Sequence, residues 1–467
     1  MSTIDPGDGE LDLQQLLEYQ KAGPRYTSYP TIPVWRDGFG EDELTPHLRH
    51  ASEARAGQPL SVYVHLPFCP HRCLYCGCAS WESSDPTRLD RYLDRLGQEI
   101  DRWAALLPTR RHLAALHLGG GTPNALSLAQ LERLHTLLTR WVTPLPGAQL
   151  ALEANPATLT DEQVRLLGRL GFNRLSLGVQ DFTPAVQEAV QRPGSFTRTR
   201  ELMALARASG FGGVNLDVIY GLPRQTRETF AQSLAQVVEL APDRVAVFGY
   251  AHVPWIHPLQ RSLEVYGIPD VLERVELYRV AYRTFTAGGY RPIGMDHFAR
   301  PEDELSRAQD EGRLDRNFQG YTVNPAPDLI GLGVTAISHV GGAHAQNEKE
   351  LDRYEAAVSQ GRLATFRGLS LSPDDELRGY VIKELMCNLR LSFADVAARF
   401  GVQPRTELAT SIDQLEPFLD AGHVLLDAQG IRIPARSRLL IRNIVMVFDA
   451  YLGRETATAG PRFSKTI

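Results

Sequence analysis

The chain has 467 residues, 43% of them hydrophobic and 22% charged, which suits one large domain plus a smaller one and excludes overall disorder. A formal net charge of -6 and a pI near 6.1 argue against broad binding to nucleic acid or to a membrane surface, for which a basic excess is typical. The polar residues 1–10 lack the features of a secretory signal, and no apolar run is long enough to span a membrane. We therefore expect a cytoplasmic protein with no nucleic-acid or membrane partner.

Residues 1–60 are predicted to form an N-terminal arm that ends in a helix. Residues 1–20 are polar, and residues 23–30 read Gly-Pro-Arg-Tyr-Thr-Ser-Tyr-Pro, an irregular and aromatic-rich stretch. A short helical pattern then runs up to Gly57.

Residues 61–370 show short apolar runs that alternate with longer amphipathic patterns. The runs predict strands at 61–67, 113–118, 149–154, 174–179, 214–220, 244–250 and about 290–296. The patterns between them predict helices at 88–106, 126–141, 161–170, 198–209 and 227–240. A strand followed by a helix, repeated along the chain, is typical of parallel β/α architecture. We predict an α/β fold with a partial or full parallel (β/α) barrel, and a doubly wound open sheet is the alternative.

Polar and glycine residues follow five consecutive predicted strands, where the active sites of parallel barrels gather. These residues are a group of cysteines after the first strand, Gly119–Thr122 after the second, Glu153, Gln180 and Asp217. Glu153 and Asp217 interrupt apolar strands, and a buried carboxylate needs a partner, so each is either a ligand-binding group or half of a structural ion pair. The glycines either let a backbone approach a ligand or form a tight strand-to-helix turn.

Residues 371–467 are predicted to form a smaller, mainly helical and winged-helix-like domain. Helical patterns cover 374–386, 392–399 and 412–420, and a short hairpin pattern follows at 424–426 and 431–434. A winged-helix shape can bind DNA, but a fold by itself does not determine function.

Four of the five cysteines lie in one short loop, at 69, 73, 76 and 78, which gives the spacing C-x3-C-x2-C-x-C. Clustered cysteines indicate metal or redox chemistry, since disulfide-bonded proteins spread their cysteines along the chain. Three close thiolates can hold three irons of a [4Fe-4S] cluster and leave the fourth iron open. The alternatives are a structural zinc ion held by all four cysteines and a redox-active thiol group. The fifth cysteine, Cys387, is predicted to be a buried core residue.

The C-x3-C-x2-C motif with Tyr75 before its third cysteine resembles that of the radical S-adenosylmethionine (SAM) superfamily, and the added Gly77-Cys78 resembles the oxygen-independent coproporphyrinogen III oxidases. Further segments similar to that family extend the resemblance over about residues 20–455; they lie at 23–30, 119–123, 153–156, 178–182, 217–223, 250–252, 296–299 and 316–322.

The resemblance implies that Cys69, Cys73 and Cys76 hold a [4Fe-4S] cluster and that two SAM molecules bind beside it. The implied contacts of the first SAM are Tyr63, Gly120, Glu153 and Ile337. Those of the second are Tyr75, Gly121, Thr122, Gln180, Arg192, Asp217 and Ala251. By residue type alone Gln180 and Arg192 would be solvated, and Tyr63 could equally be a core residue.

The implied reaction is the anaerobic oxidative decarboxylation of two propionates of coproporphyrinogen III to vinyl groups, which gives protoporphyrinogen IX for haem biosynthesis. The radical derives from SAM, so no catalytic acid or base is assigned. Because the substrate carries four carboxylates, arginines are expected near it. Arg25 is one candidate, and a surface arginine is the alternative. The electron donor and acceptor are unidentified, and a monomer is the working expectation.

Three other functions remain open from the sequence. One is a haem chaperone that keeps the cluster without oxidising coproporphyrinogen. Another is a radical SAM protein acting on a different tetrapyrrole. The third is a zinc-stabilised DNA-binding regulator, which the acidic charge balance and the large β/α region disfavour.

Overall fold

The computed structural model describes residues 13–452 and divides the chain into two compact units. The larger unit comprises Arg36–Tyr290 and Asn324–Ser370. The smaller unit groups Arg291–Val323 with residues 13–35 and 371–452. The division into 1–60, 61–370 and 371–467 stays a prediction about domains, since compactness by itself does not show which segments fold alone.

Seven parallel strands form the centre of the larger unit. They are β1 (Leu60–Leu66), β2 (His112–Gly120), β3 (Thr143–Ala154), β4 (Arg174–Gln180), β5 (Gly213–Tyr220), β6 (Arg244–Gly249) and β7 (Leu329–Leu332). Their order in the sheet is β7-β1-β2-β3-β4-β5-β6, and every neighbouring pair is parallel. The first six were predicted as strands, and their ends at one edge of the sheet carry the polar residues.

Helices connect these strands. They are α1 (Pro86–Leu106), α2 (Leu128–Thr139), α3 (Asp161–Arg169), α4 (Phe196–Ala208), α5 (Arg227–Leu240) and α6 (Val271–Ala287), with a shorter helix at Pro184–Val190. From β1 to β6 each crossover steps to the next strand in the same direction, and right-handed crossovers therefore place the helices on one face of the sheet. The order never reverses along this run, which excludes the doubly wound alternative. Within residues 13–452, β6 and β7 are the two ends of the parallel run, so the predicted barrel is partial.

Local sequence explains why these elements form. Helix α1 begins at Pro86, and the Asp85 carboxylate caps it by accepting the Thr87 N–H at 3.0 Å. Capping boxes start α2, α3, α5 and α6. Strand β1 is buried at every position except the half-buried Tyr63, as expected for a strand covered on both faces.

An antiparallel extension continues the sheet beyond β7. Strands β8 (Ile337–Val340), β9 (Ala343–Asn347) and β10 (Thr365–Ser370) follow in that order, and Arg36–Asp37 pairs with β10. These strands were not predicted from the sequence. Strand β9 is buried along its whole length although it contains His344, Gln346 and Asn347, so its sequence lacks the alternation of a half-exposed strand. Further helices of this unit are Glu41–Ala54 and Leu351–Ser359, with 3-10 turns at Pro123–Ala125 and Pro258–Tyr266.

The predicted strand at 290–296 differs from the observed structure. Only Arg291–Ile293 is extended, and it pairs antiparallel with His297–Ala299 in the smaller unit. Gly294 has a φ of +55°, a left-handed conformation that reverses the chain. The seventh parallel strand is β7 instead.

The smaller unit is mainly helical. Its α-helices are Leu13–Glu18, Glu304–Glu311, Pro373–Asn388, Phe393–Phe400, Pro404–Glu407, Ala409–Asp413, Glu416–Asp420 and Ile441–Val445, with 3-10 turns at Ile32–Val34, Ala435–Leu440 and Met446–Phe448. Its strands pair as Asp315–Asn317 with Gly320–Thr322, and as Arg390–Ser392 and Leu425–Leu426 on either side of Gly430–Arg432.

The predicted C-terminal hairpin is present, but the predicted helix at 412–420 is two short helices. Pro417 lies in the first turn of the second one, where its missing N–H costs nothing, whereas inside a continuous helix it would remove a hydrogen bond. Cys387 is fully buried in an apolar cluster with Ile293, Leu305 and Leu314, as its predicted core role requires. Among residues 13–452, the helices fall short of the length and apolar character that crossing a membrane requires.

Candidate active site

The cysteine loop connects β1 to α1 at the carboxyl end of the sheet. Two-residue strands, Phe68–Cys69 and Trp81–Glu82, pair in parallel and close its base, and the Ser83 N–H donates to the Cys69 carbonyl at 2.9 Å. Cys69 and Cys73 are buried, Cys76 is half-buried and Cys78 is exposed. All five cysteines of the chain are free thiols.

Hydrogen-bond donors point at three of these sulfurs. The Thr122 hydroxyl lies 3.2 Å from Cys69 Sγ, Arg192 Nη1 lies 3.4 Å from Cys73 Sγ, and the Cys78 N–H lies 3.4 Å from Cys76 Sγ. A hydrogen bond from the Cys78 side chain is the main cause that lowers the pKa of Cys76 to about 6, whereas burial raises the pKa of Cys69. Donors of this kind stabilise thiolates, which are the form that binds metal.

The arrangement of the thiols bears on which metal group they could hold. Within residues 13–452, no three His, Cys, Asp or Glu side chains converge to hold a single metal ion. A tetrahedral zinc ion needs four ligands on one centre, so the arrangement does not favour the zinc alternative. In an iron–sulfur cluster each thiolate binds a separate iron, and the sulfurs need not converge on one point. The loop therefore fits a cluster better than a single ion.

The glycine turn after β2 packs directly against this loop. Gly120 has a φ of +113°, and a Cβ there would lie 2.8 Å from the His65 ring. The Gly121 N–H donates to the Leu66 carbonyl at 2.8 Å, and a Cβ on Gly121 would lie 2.9 Å from the Phe68 carbonyl oxygen. Only glycine fits either position, and the close approach leaves Thr122 beside Cys69.

A first group of polar side chains lies on β1, β2 and β3. His117 Nε2 donates to Glu153 Oε1 at 2.8 Å, and the Tyr63 ring lies 5.9 Å from the His117 ring. Burial raises the pKa of Glu153, but the hydrogen bond and charge of His117 together with the Gly120 N–H outweigh it, so the pKa is lowered on balance. Glu153 is thus held as a carboxylate. His117 was missed in the sequence analysis, although a histidine in an apolar strand was the available signal.

His65 links this group to the cysteine loop. Its Nε2 lies 2.8 Å from the Ala79 carbonyl oxygen and its Nδ1 lies 3.1 Å from the Tyr63 hydroxyl. A carbonyl only accepts, so Nε2 carries the proton and Nδ1 accepts from Tyr63. Burial lowers the pKa of His65, which keeps the ring neutral in agreement with this tautomer.

A second group lies on β4 and β5. The Asp217 carboxylate accepts from Asn215 Nδ2 at 2.6 Å and from the Ser176 hydroxyl at 3.1 Å. Gln180, at the end of β4, has a φ of +67°, and Arg192 Nη2 donates to the Gly178 carbonyl at 2.6 Å. Ser176 and Asn215 were missed in the sequence analysis, since a single serine or asparagine on a strand is not a distinctive pattern.

This second group contains unsatisfied acceptors. The Gln180 Oε1 and Asn215 Oδ1 atoms are buried and receive no hydrogen bond from any described residue. A buried oxygen without a donor is costly, and a ligand with ammonium or hydroxyl groups would satisfy it. SAM has both kinds of donor, so these residues fit it.

The other predicted contacts lie outside these two hydrogen-bonded groups. Tyr75 is half-buried, packs against Val190 and Tyr250, and accepts from Gln260 Nε2 through its carbonyl at 2.9 Å. Ala251 is exposed just after β6, and Ile337 is the half-buried first residue of β8. Arg25 belongs to the smaller unit.

Comparison with known proteins places these features in context. The model of the Radical SAM superfamily matches residues 63–237, and that of the HemN C-terminal domain matches residues 371–440. The chain is 42% identical over 98% of its length to the oxygen-independent coproporphyrinogen III oxidase of Escherichia coli, covering 99% of it, and 41% identical over 98% to that of Pseudomonas aeruginosa, covering 98%. The solved structure of coproporphyrinogen III oxidase (HemN) from Escherichia coli, described as a radical SAM enzyme, matches with a TM-score of 0.89 and 42% identity over 95% of this chain and 100% of that one.

Proposed function

Since the chain belongs to the family of oxygen-independent coproporphyrinogen III oxidases, in the radical SAM superfamily, we propose that it converts coproporphyrinogen III to protoporphyrinogen IX. The observation that carries the choice of substrate is the extent of the similarity, which covers 98% of the chain and 99% of the relative and therefore includes both compact units.

Cys69, Cys73 and Cys76 are the proposed ligands of a [4Fe-4S] cluster, and Cys78 is not a ligand. The donors on the first three sulfurs support this assignment, because each stabilises the negative charge of a thiolate. Cys78 differs by its full exposure and by donating to Cys76 rather than accepting.

Two SAM molecules are proposed to bind at the two polar groups. The first would contact Tyr63, Gly120, Glu153 and Ile337. The second would contact Tyr75, Gly121, Thr122, Gln180, Arg192, Asp217 and Ala251. Support comes from the separation of the polar side chains into one group on β1 to β3 and another on β4 and β5, each with its own carboxylate.

The chain's own residues bind and orient the reactants. Glu153, held ionised by His117, can accept from an amino or ribose hydroxyl group, and Gln180 Oε1 is free to do the same. When bound, the cluster and SAM supply the electron and the radical chemistry. In the overall change each reacting propionate loses one β-hydrogen atom, CO2 and one electron, and an unidentified acceptor takes the electron.

An anaerobic assay of the reconstituted protein with coproporphyrinogen III, SAM and a chemical reductant tests the proposal. We expect protoporphyrinogen IX, two CO2 per substrate, methionine and 5′-deoxyadenosine. SAM cleavage and tight haem binding without a porphyrin product would contradict it and favour the haem chaperone.

Glu153→Ala and Asp217→Ala test the proposed SAM contacts in the same assay. Both variants should keep the cluster absorbance and lose most SAM turnover, because removing an ionised acceptor costs about 1.5–3 kcal/mol of binding. Glu132→Ala, a change at an exposed position on α2, is the matched control and should cleave SAM normally. Wild-type SAM cleavage by either variant would mean that its carboxylate is not a contact.

A further inference from the structure

Two guanidinium groups of the smaller unit face a single carboxylate. Arg25 Nη2 lies 3.4 Å from Asp296 Oδ2, and Arg316 Nη1 donates to the Arg25 carbonyl at 2.7 Å. Burial opposes the ionisation of Asp296, yet the hydrogen bond from His297 and the charges of Arg25 and Arg316 lower its pKa. Both cations are therefore close enough to act on the same buried acid.

The hydrogen-bonding capacity of these arginines is only partly used. Arg25 has one long bond to Asp296, and its side chain is 42% exposed. Arg316 Nε receives no acceptor from any described residue, and neither does Gln319 Nε2 on the same hairpin. An unpaired buried N–H is costly, so donors in excess of acceptors indicate an anionic or acceptor-rich ligand.

The surroundings hold the two arginines in place. Asp296 is 7% exposed and accepts from His297 Nδ1 at 2.8 Å. The Arg316 guanidinium carbon lies 5.3 Å from the centre of the Tyr321 ring, whose hydroxyl accepts the Met295 N–H at 2.9 Å. Arg316 is thus stacked on an aromatic side chain that is itself fixed, which lowers the entropic cost of binding a ligand.

The local charge is positive. Asp296 balances one of the two arginines, and the next carboxylate on the hairpin, Asp315, pairs with Lys383 at 2.7 Å. One guanidinium charge is left without a matching carboxylate among the described neighbours. A planar guanidinium with free N–H groups is suited to bidentate binding of a carboxylate.

We propose that Arg25 and Arg316 form a binding site for a propionate carboxylate of the tetrapyrrole substrate, with Asp296 as the residue that positions Arg25. This inference rests on the proposed function for the identity of the ligand. It assigns to two residues the recognition of a negative charge that every propionate-bearing tetrapyrrole carries.

Binding of coproporphyrin III and of its tetramethyl ester to the reconstituted holoenzyme tests the proposal, because the ester keeps the ring and removes the four carboxylates. Absorbance titration yields the preference for acid over ester, expressed as a ratio of dissociation constants. The wild-type protein should prefer the acid. Arg25→Met should lower that preference about tenfold to hundredfold, the loss expected for a charged hydrogen bond.

Two further variants make the outcome decisive. Arg316→Lys keeps the charge and loses the planar fork, so its preference should fall between the other two, and it avoids an unpaired cavity beside Tyr321. Arg313→Met is the control, since that exposed arginine pairs with Glu311 two residues earlier. An unchanged acid preference in both Arg25→Met and Arg316→Lys would overturn the site. Failure of the proposed function would show separately, as absence of product from the wild-type protein.

Discussion

At the scale of single residues, the site is organised by donors that point at sulfur and carboxylate. Thr122, Arg192 and the Cys78 N–H each contact a different thiol of the loop. His117 does the same for Glu153. Each acidic group is thus stabilised in its ionised form by a partner from another segment, which is how a site keeps negative charge in a partly buried place.

The cysteines provide the prediction at this scale. Cys69→Ser, Cys73→Ser and Cys76→Ser should each lose most of the bound iron and the charge-transfer absorbance, since a serine hydroxyl is a poor iron ligand. Cys78→Ser should retain both, as should Cys387→Ser, whose thiol is buried in the apolar core of the smaller unit. Iron analysis after anaerobic reconstitution measures this. A Cys78→Ser protein unable to assemble a cluster would refute the three-ligand assignment.

At the scale of an element, α1 supports the site from behind with a buried polar network. Its Glu99 accepts the Gly333 N–H, the Asn347 amide and the Tyr354 hydroxyl, each at 2.7 Å. One turn and a half earlier, Tyr92 accepts the Val334 N–H at 3.0 Å and donates to the His65 carbonyl at 2.8 Å. The helix therefore fixes both the turn that leads to Ile337 and the end of β1.

Glu99 predicts a pH dependence of stability. Burial raises its pKa from 4.5 to about 7, despite hydrogen bonds that favour the ionised form. The folded protein therefore binds more protons than the unfolded chain between these values. This contribution to stability is complete below about pH 4.5 and is lost as pH rises towards about 7. Relative to Glu99→Gln, the wild-type free energy of unfolding should fall by up to about 1.4 kcal/mol per pH unit across that window.

Urea unfolding of both proteins at several pH values measures this difference. Above about pH 7 the two stability curves should run parallel, because Glu99 is then ionised in both states. Parallel curves throughout the window would show that the Glu99 pKa is not raised by folding.

At the scale of the whole molecule, the N-terminal segment is part of the smaller unit rather than a free arm. The Tyr26 hydroxyl donates to Asp449 Oδ2 at 2.9 Å, and the Tyr29 hydroxyl accepts the Ala450 N–H at 2.9 Å. Arg442 donates to the carbonyls of Gly23 and Pro24. Residues more than 400 positions apart in sequence are therefore held together by buried hydrogen bonds.

Deletion of residues 1–30 should destabilise this unit and abolish decarboxylation, yet leave the cluster, because Cys69 lies outside the deleted segment. Tyr26→Phe is the milder test and should cost about 1–3 kcal/mol, since Asp449 loses a buried partner. Hydrogen exchange should increase over Ile441–Val445 in both variants and stay unchanged in β1 to β6. Tyr266→Phe, at an exposed position of the larger unit, is the control. Loss of iron from the deletion protein would contradict this prediction.

Sequence by itself determined the features that depend on local spacing. Apolar periodicity identified the first six parallel strands and their helices, because each element buries a face that its own residues define. The cysteine spacing and the flanking motifs indicated the radical SAM and coproporphyrinogen oxidase resemblance that the comparisons confirm. Glu153, Gln180 and Asp217 were recognisable because polar residues stood out at the ends of apolar strands.

Only the tertiary structure decided which side chains meet. The seventh parallel strand is Leu329–Leu332 rather than 290–296, since strand pairing is a long-range choice that a short apolar run does not specify. The pairing of His117 with Glu153 and of Asn215 with Asp217 follows from the register of neighbouring strands. Arg25 and Arg316, separated by 291 positions, come together because the chain returns to one unit from three separate segments. Spacing along the chain carries no information about such contacts, because they are made by packing after the local elements have formed.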